Sequence, residues 1–298
     1  MRQTCLLSSF LQPSSVYRRL LSLNRDNLSR NFTLSPEDIE TYKRDGVICL
    51  RGVLSKSQCA EMHQASVEFM KENKGFIRYG KNDKRFFSAA FMADTVPAFE
   101  KFAKDSQLPI IAAQLMNNVK MVRFFYDQLF IKAPGATTRT AWHNDLSYWP
   151  FRGNDLISIW CALTPVTRES SGMEYIPGTH LNKTLYQAIT PDEDQRFIDH
   201  SRAPCPDLSD NENILSWDME PGDIICHHPF TIHGSGGNNS PTIQRIGLSL
   251  RYLGEDVSWF PSNFVMKMPR DIQNLVVGQY PADDKTFPPI YIQNRCIS

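Results

Sequence analysis

His143-Asn144-Asp145 sets an imidazole and a carboxylate two residues apart, the smallest spacing at which two side chains can share one metal ion. In an extended segment, residues i and i+2 project from the same face, so the two donors converge. A tripeptide recurs by chance, and alone it is half a site. The other half stands in Pro221-Gly222-Asp223-Ile224-Ile225-Cys226-His227-His228-Pro229-Phe230-Thr231-Ile232-His233-Gly234-Ser235-Gly236, where His233 ends an extended run at a Gly/Ser-rich turn. His227 and His228 are adjacent and face opposite sides, so at most one can point into a site; they are read as core or hydrogen-bonded imidazoles. Two imidazoles and one carboxylate leave coordination positions open, unlike a closed structural zinc site, and the set suits iron(II). The open positions admit a bidentate co-substrate and dioxygen.

Such a co-substrate needs a partner for its distant carboxylate. Arg245 lies in Thr242-Ile243-Gln244-Arg245-Ile246-Gly247-Leu248-Ser249-Leu250-Arg251. As a strand, this segment puts Arg245, Gly247 and Ser249 on one face and Ile246, Leu248 and Leu250 on the other. Small residues then leave room beside a guanidinium, whose planar fork binds a carboxylate through two hydrogen bonds and keeps its charge when buried. Arg251 shares the face about two nanometres further along a fully extended chain and ranks second.

The elements that must position these residues fall into two textures. Ser35-Pro36-Glu37-Asp38 reads as a helix start and Asp45-Gly46 as its end. Val47 to Leu50 follow as a strand, Ser55 to Lys71 as an amphipathic helix closed by Asn73-Lys74-Gly75, and Val96 to Met116 as a further helix, making the N-terminal third mainly helical. From Val119 the pattern changes to short apolar or alternating runs: Met121 to Lys132, Leu156 to Leu163, Met173 to Ile176, Asp223 to His228 and Ile243 to Tyr252. Turns fall at Pro134-Gly135, Pro177-Gly178 and Pro221-Gly222. Strands at this spacing without intervening helices indicate an antiparallel barrel or sandwich carrying flanking helices. Asp192 to Asn213 reads as an insertion loop.

Whole-chain properties exclude several classes. Lys+Arg and Asp+Glu both number 32, so a general electrostatic role on nucleic acid is disfavoured. The seven cysteines are scattered without a Cys-x-x-Cys pair and indicate neither a zinc ribbon nor a disulfide framework. No apolar run is long enough for a membrane span. Arg2, Arg18, Arg19, Arg25 and Arg30 are interleaved with Ser and Leu, and no acidic residue precedes Asp26. Residues 1–32 are therefore expected to be an N-terminal extension of mitochondrial-transit type on an intracellular protein, the alternative being a basic tail on a cytoplasmic one, and residues 33–298 the catalytic domain.

His143-Asn144-Asp145, Ile157-Ser158-Ile159-Trp160-Cys161-Ala162-Leu163, Ser171-Gly172-Met173-Glu174-Tyr175-Ile176-Pro177-Gly178-Thr179-His180, Pro221-Gly222-Asp223, His233-Gly234-Ser235 and Arg245 occur in an order that resembles the phytanoyl-CoA dioxygenase family of iron(II)/2-oxoglutarate oxygenases. The resemblance covers nearly all of the chain after the extension. It implies a mainly β fold, a double-stranded β-helix (jelly roll, cupin-like) with N-terminal helices. It also implies Fe(2+) held by His143, Asp145 and His233, 2-oxoglutarate anchored by Arg245, and O2 as oxidant. Two further co-substrate contacts are implied at Gln128 and Trp160, while His180 is read as structural. Asn144 stands where Gln is common and should point away from the metal; Asp145 is retained, whereas related halogenases have a small residue there. The implied activity is hydroxylation of a C-H bond in a small-molecule substrate. A 2-oxoglutarate-independent oxygenase and a non-catalytic binding protein on the same barrel are the rival readings. Tyr148, Trp149, Phe151, Trp259 and Phe260 are candidates either for the substrate wall or for the core. Substrate and oligomeric state are not encoded in any motif.

Overall fold

The computed structural model describes residues 32–72, 76–80, 83–189, 198–262 and 266–293. The extension expected at residues 1–32 thus lies almost wholly outside the described residues, as does the Asn73-Lys74-Gly75 helix stop. The compact body runs over Leu34–Ser298.

Helix α1 (Pro36–Asp45) starts where the sequence places it. The Ser35 hydroxyl accepts the Asp38 backbone N-H at 3.1 Å and the Asp38 carboxylate accepts the Ser35 N-H at 3.0 Å, a reciprocal cap that contributes about 1 kcal/mol. Gly46 ends the helix at φ 73°, where a Cβ would meet the His180 ring at 2.3 Å. His180 fills that notch and donates from Nε2 to the Lys43 carbonyl at 3.1 Å, a packing role. Next come β1 (Val47–Leu50) and α2 (Lys56–Glu72). The helix expected over Val96 to Met116 is two helices, α3 (Pro97–Asp105) and α4 (Leu108–Leu115). The break falls at Ser106-Gln107, where Ser106 is extended and Pro109 stands in the first turn of α4, since proline cannot supply an interior helix N-H. The N-terminal third is also less helical than its pattern suggests, because β2 (Phe76–Gly80) and β3 (Asp83–Ala90) form a hairpin there.

The β texture after Val119 resolves into β4 (Met121–Lys132), β5 (Thr140–His143), β6 (Phe151–Arg152), β7 (Leu156–Ala162), β8 (Met173–Tyr175), β9 (Ile224–His227), β10 (His233–Ser235), β11 (Arg245–Leu253), β12 (Ser258–Trp259) and β13 (Pro289–Ile292). All pairings between these strands are antiparallel. The larger sheet runs β1-β9-β7-β11-β4-β3-β2, with β13 also on β4; a smaller one runs β5-β10-β8. This is the expected double-stranded β-helix.

Strand β11 is the central rail, buried along its whole length between β4 and β7. Register fixes what faces inward: Arg245 opposes Lys132, Ser249 opposes Gln128 and Trp160, and Arg251 opposes Tyr126 and Ser158. One face is therefore polar although buried. A folded chain tolerates that only where the groups are paired or serve a site. At one end of the barrel, Phe125 packs edge-on against Phe151 (4.9 Å), Trp149 (5.6 Å) and Phe287 (5.9 Å). Arg270 donates from Nη1 to the Phe125 and Thr286 carbonyls at 2.6 and 2.7 Å, tying the C-terminal segment to β4.

Candidate active site

The two halves of the donor set meet because β10 pairs with β5 and brings His233 directly opposite His143. The simple alternation expected of the tripeptide holds only as far as Asn144, which is extended (φ -120°, ψ 141°); Asp145 opens a 3-10 turn, Asp145–Tyr148. Asn144 does point away, its amide donating to the Thr184 carbonyl at 2.6 Å. One ligand atom from each of His143, Asp145 and His233 lies within 4.8 Å of the others, a spacing that can hold one metal ion. Both imidazoles present the same nitrogen. Nδ1 of His143 donates to the Ala141 carbonyl at 2.7 Å and Nδ1 of His233 to the Thr231 carbonyl at 2.9 Å, so each Nε2 keeps its lone pair. Burial, with His143 and His227 nearby, pushes His233 well below the ordinary histidine range and keeps it neutral, the state a metal ligand requires.

The two oxygens of Asp145 have separate environments. Oδ1 stands 3.8 Å from both His143 Nε2 and His233 Nε2. Oδ2 accepts from the Ser158 hydroxyl and from His227 Nε2 at 3.2 Å, with Arg251 Nε at 3.9 Å. Burial alone would raise the Asp145 pKa; the Arg251 charge and the His143 and His227 contacts outweigh it and hold the carboxyl well below the usual range. The group is ionised, with one oxygen tied to protein and the other facing the imidazoles.

His227 is the functional residue least visible in the sequence. It is buried, receives the Tyr175 hydroxyl on Nδ1 at 3.3 Å and passes a hydrogen bond to Asp145, while Tyr175 stacks on His233 at 5.4 Å. Strand alternation gave the available signal, since it separates His227 from His228, but not which of the two faces inward. His228 turns away from the cavity, donates to the Asn154 carbonyl at 3.1 Å, and is pushed down to about 4 by burial. Replacing the imidazole with an aromatic hydrocarbon, His227→Phe, is expected to weaken metal binding roughly 10- to 100-fold while leaving the donors themselves in place. Competition against a coloured chelator measures this; unchanged affinity would show that Ser158 and Arg251 suffice to hold Oδ2.

A cavity of about 600 Å³ opens onto the donors. Arg245 faces it fully buried, with Nε and Nη1 lacking a hydrogen-bond partner among the described residues and Nη2 3.4 Å from the Ser171 hydroxyl. Burial lowers its pKa to about 10, which still leaves it charged at neutral pH. An orphaned guanidinium of this kind fits a carboxylate that arrives with a ligand. Trp160 and Gln128 line the same cavity. The indole lies against Gly247, where a Cβ would come within 2.1 Å of the ring, and its Nε1 has no hydrogen-bond partner among the described residues; the Gln128 amide donates to Ser88 at 3.0 Å. Behind Arg245, buried Lys132 donates to Ser235 (3.0 Å) and to the Gly236 carbonyl (2.8 Å). Burial first, and then the Arg245 charge, pushes its pKa well down. Arg251 is not beside Arg245 but next to Asp145. Of the candidate wall aromatics, Tyr148 and Trp149 line the cavity; Phe151 and Trp259 belong to the packed end of the barrel, and Phe260 lies under the Arg152 guanidinium at 3.9 Å.

The profile of the family described as phytanoyl-CoA dioxygenase (PhyH) matches residues 42–246. A probable phytanoyl-CoA dioxygenase of Caenorhabditis elegans is 23% identical over 245 residues, 75% of this chain and 77% of that one. The peroxisomal phytanoyl-CoA dioxygenase of Homo sapiens is 27% identical over 205 residues, 65% of this chain and 52% of the relative, so the match spans about half of the human protein. Among solved structures, the epimerase SnoN in complex with Fe3+, alpha ketoglutarate and nogalamycin RO superimposes with a TM-score of 0.67 at 21% identity, over 85% of this chain and 97% of that one. At that identity the likeness speaks to fold. The family match runs from within α1 to the start of the strand that carries Arg245, well over half of the sequence, and the chain belongs to the phytanoyl-CoA dioxygenase family of iron(II)- and 2-oxoglutarate-dependent oxygenases.

Proposed function

We propose that the protein hydroxylates a C-H bond of a small organic substrate, with iron(II) held by His143, Asp145 and His233 and the distal carboxylate of 2-oxoglutarate held by Arg245. The observation that carries the reading is the pairing of an open donor triad with a buried guanidinium, two of whose nitrogens have no hydrogen-bond partner among the described residues, on one cavity wall. When bound, iron(II) with 2-oxoglutarate supplies the oxidising chemistry: dioxygen gives one atom to succinate and one to the substrate hydroxyl, and carbon dioxide leaves. The chain's own residues bind and orient. The Ala141 and Thr231 carbonyls keep the Nδ1 protons, so both Nε2 atoms stay available. Ser158 and His227 fix Asp145, which leaves Oδ1 to the metal. Trp160 Nε1 and the Gln128 amide offer donors toward the co-substrate, and Tyr148 and Trp149 wall off water. In this reading residues 33–298 are the oxygenase domain and the basic stretch 1–32 a mitochondrial import leader, the latter supported by composition. Among the described residues no helix is long and apolar enough to cross a membrane.

The test is succinate release over a panel of substrate classes. Release is expected to require iron(II), 2-oxoglutarate and dioxygen together, to stop on chelation, and to return when iron(II) is restored. Oxygen uptake without succinate would replace this reading with a 2-oxoglutarate-independent oxygenase.

A further inference from the structure

Arg251 is a buried cation whose charge helps to hold Asp145 ionised but whose hydrogen-bonding capacity is almost unused. Its side chain is 3% exposed, borders the cavity, and holds its guanidinium carbon 4.6 Å from the centre of the Tyr126 ring. Among the described residues its one hydrogen bond runs from Nη1 to the Ser249 carbonyl at 3.5 Å, the outer limit of the interaction. Nε is buried with no hydrogen-bond partner among the described residues. The nearby carboxylate oxygen, Oδ2 of Asp145, is 3.9 Å away and already serves Ser158 and His227. A charge taken out of water in this condition is costly until an anion completes it. Beside it stands a second donor. The Tyr126 hydroxyl accepts from Trp149 Nε1 at 3.2 Å, and its own proton has no acceptor among the described residues.

Charge balance points the same way. Among the described residues, Arg245 and Arg251 share the inner cavity with a single carboxylate, Asp145, while Arg139 and Asp207 offset each other at the mouth. Iron(II) and the 2-oxoglutarate dianion cancel, so loading both leaves one positive charge unanswered even with Lys132 neutral. That charge sits at Arg251, because the distal carboxylate of 2-oxoglutarate is on Arg245. Six positions of extended strand separate the two guanidinium-bearing residues, up to about 20 Å, too far for one 2-oxoglutarate to serve both.

We infer that Arg251 and Tyr126 form a carboxylate subsite and that the substrate is an apolar monocarboxylic acid. Its acid group docks between the guanidinium and the phenol, and its hydrocarbon part lies on the aromatic wall of Trp142, Tyr148 and Trp149. Since Arg251 adjoins Asp145, the C-H bond presented for oxidation lies within a few bonds of the acid group. The product is the corresponding hydroxy acid, formed together with succinate and carbon dioxide. The inference rests on the oxygenase reading above.

The experiment uses the full chain loaded with nickel(II), which binds such donors without turnover, and saturating 2-oxoglutarate. Thermal melting is followed with a panel of straight-chain and aryl-alkyl carboxylic acids, each paired with its neutral amide. At least one acid is expected to raise the melting temperature saturably while its amide does not. Arg251→Met should weaken that acid roughly 10- to 100-fold at nickel concentrations that saturate the variant, and Arg251→Lys should restore part of the effect, with 2-oxoglutarate affinity unchanged in both. The subsite is overturned if amides match acids, if no acid shifts the melt, if the shift survives Arg251→Met, or if it appears only without 2-oxoglutarate, which would place the acid on Arg245. Nickel affinity is titrated first in each variant, because Arg251 also offsets the charge of Asp145, and a weakened nickel site with an intact acid response in Arg251→Met would leave the residue a counter-charge for Asp145 alone. Failure of the wild-type protein to bind nickel and 2-oxoglutarate, measured before any acid is added, would bring down the oxygenase reading itself.

Discussion

Asp145→Ala is expected to reduce succinate formation to the background seen without protein and to abolish high-affinity metal binding. The substitution removes the only anionic donor of the triad, so the metal loses both a bond and the charge that offsets its own. It also removes the acceptor shared by Ser158 and His227 and the nearest counter-charge of Arg251. Taking one partner from such a buried ionic cluster costs about 3 to 5 kcal/mol, so the melting temperature should fall as well. Metal titration of variant that is still folded, checked by its melt, separates the two effects. Wild-type turnover in this variant would end the triad assignment.

Arg245→Met should act on the co-substrate alone. A guanidinium that meets a carboxylate through two charge-assisted hydrogen bonds accounts for about 3 kcal/mol, so the 2-oxoglutarate concentration needed for half-maximal succinate release should rise roughly 100-fold. Iron affinity should stay near the wild-type value, because none of the triad contacts involves Arg245. Methionine fills the space with an unbranched apolar chain, which spares the core a cavity. Unchanged co-substrate dependence would transfer the anchoring role to another cation, with Lys132 the adjacent candidate.

The residues that could be read from the sequence share one property: their chemistry conflicts with their surroundings. Arg245, Ser249 and Arg251 interrupt a strand that is otherwise largely apolar, and His143-Asn144-Asp145 sits between turn signals; polar groups at buried positions of strand parity mark a site. The same parity correctly grouped Gln128 with Tyr126 and Lys132, and Trp160 with Ser158, because β4 and β7 are regular over those residues. What escaped depends on partners far along the chain. His227 gains its role from Asp145 and Tyr175, neither of which its neighbours encode. The β2-β3 hairpin carries Arg78, Lys84 and Arg85, which disguise its alternation. Phe151 and Trp259 went to the core rather than the cavity wall because β6 and β12 pair with one another away from the donors. Arg251 lay on the expected face, but its distance from Arg245 could not by itself tell that it would stand next to Asp145.

The divided environment of Asp145 gives the residue a second office. One oxygen is tied to β7 and β9 through Ser158 and His227, so the residue fastens its own 3-10 turn to the larger sheet through protein contacts alone. A ligand that is also a fastener couples the two: loosening either strand contact should be felt as faster backbone amide exchange over residues 145–148 as well as at the metal.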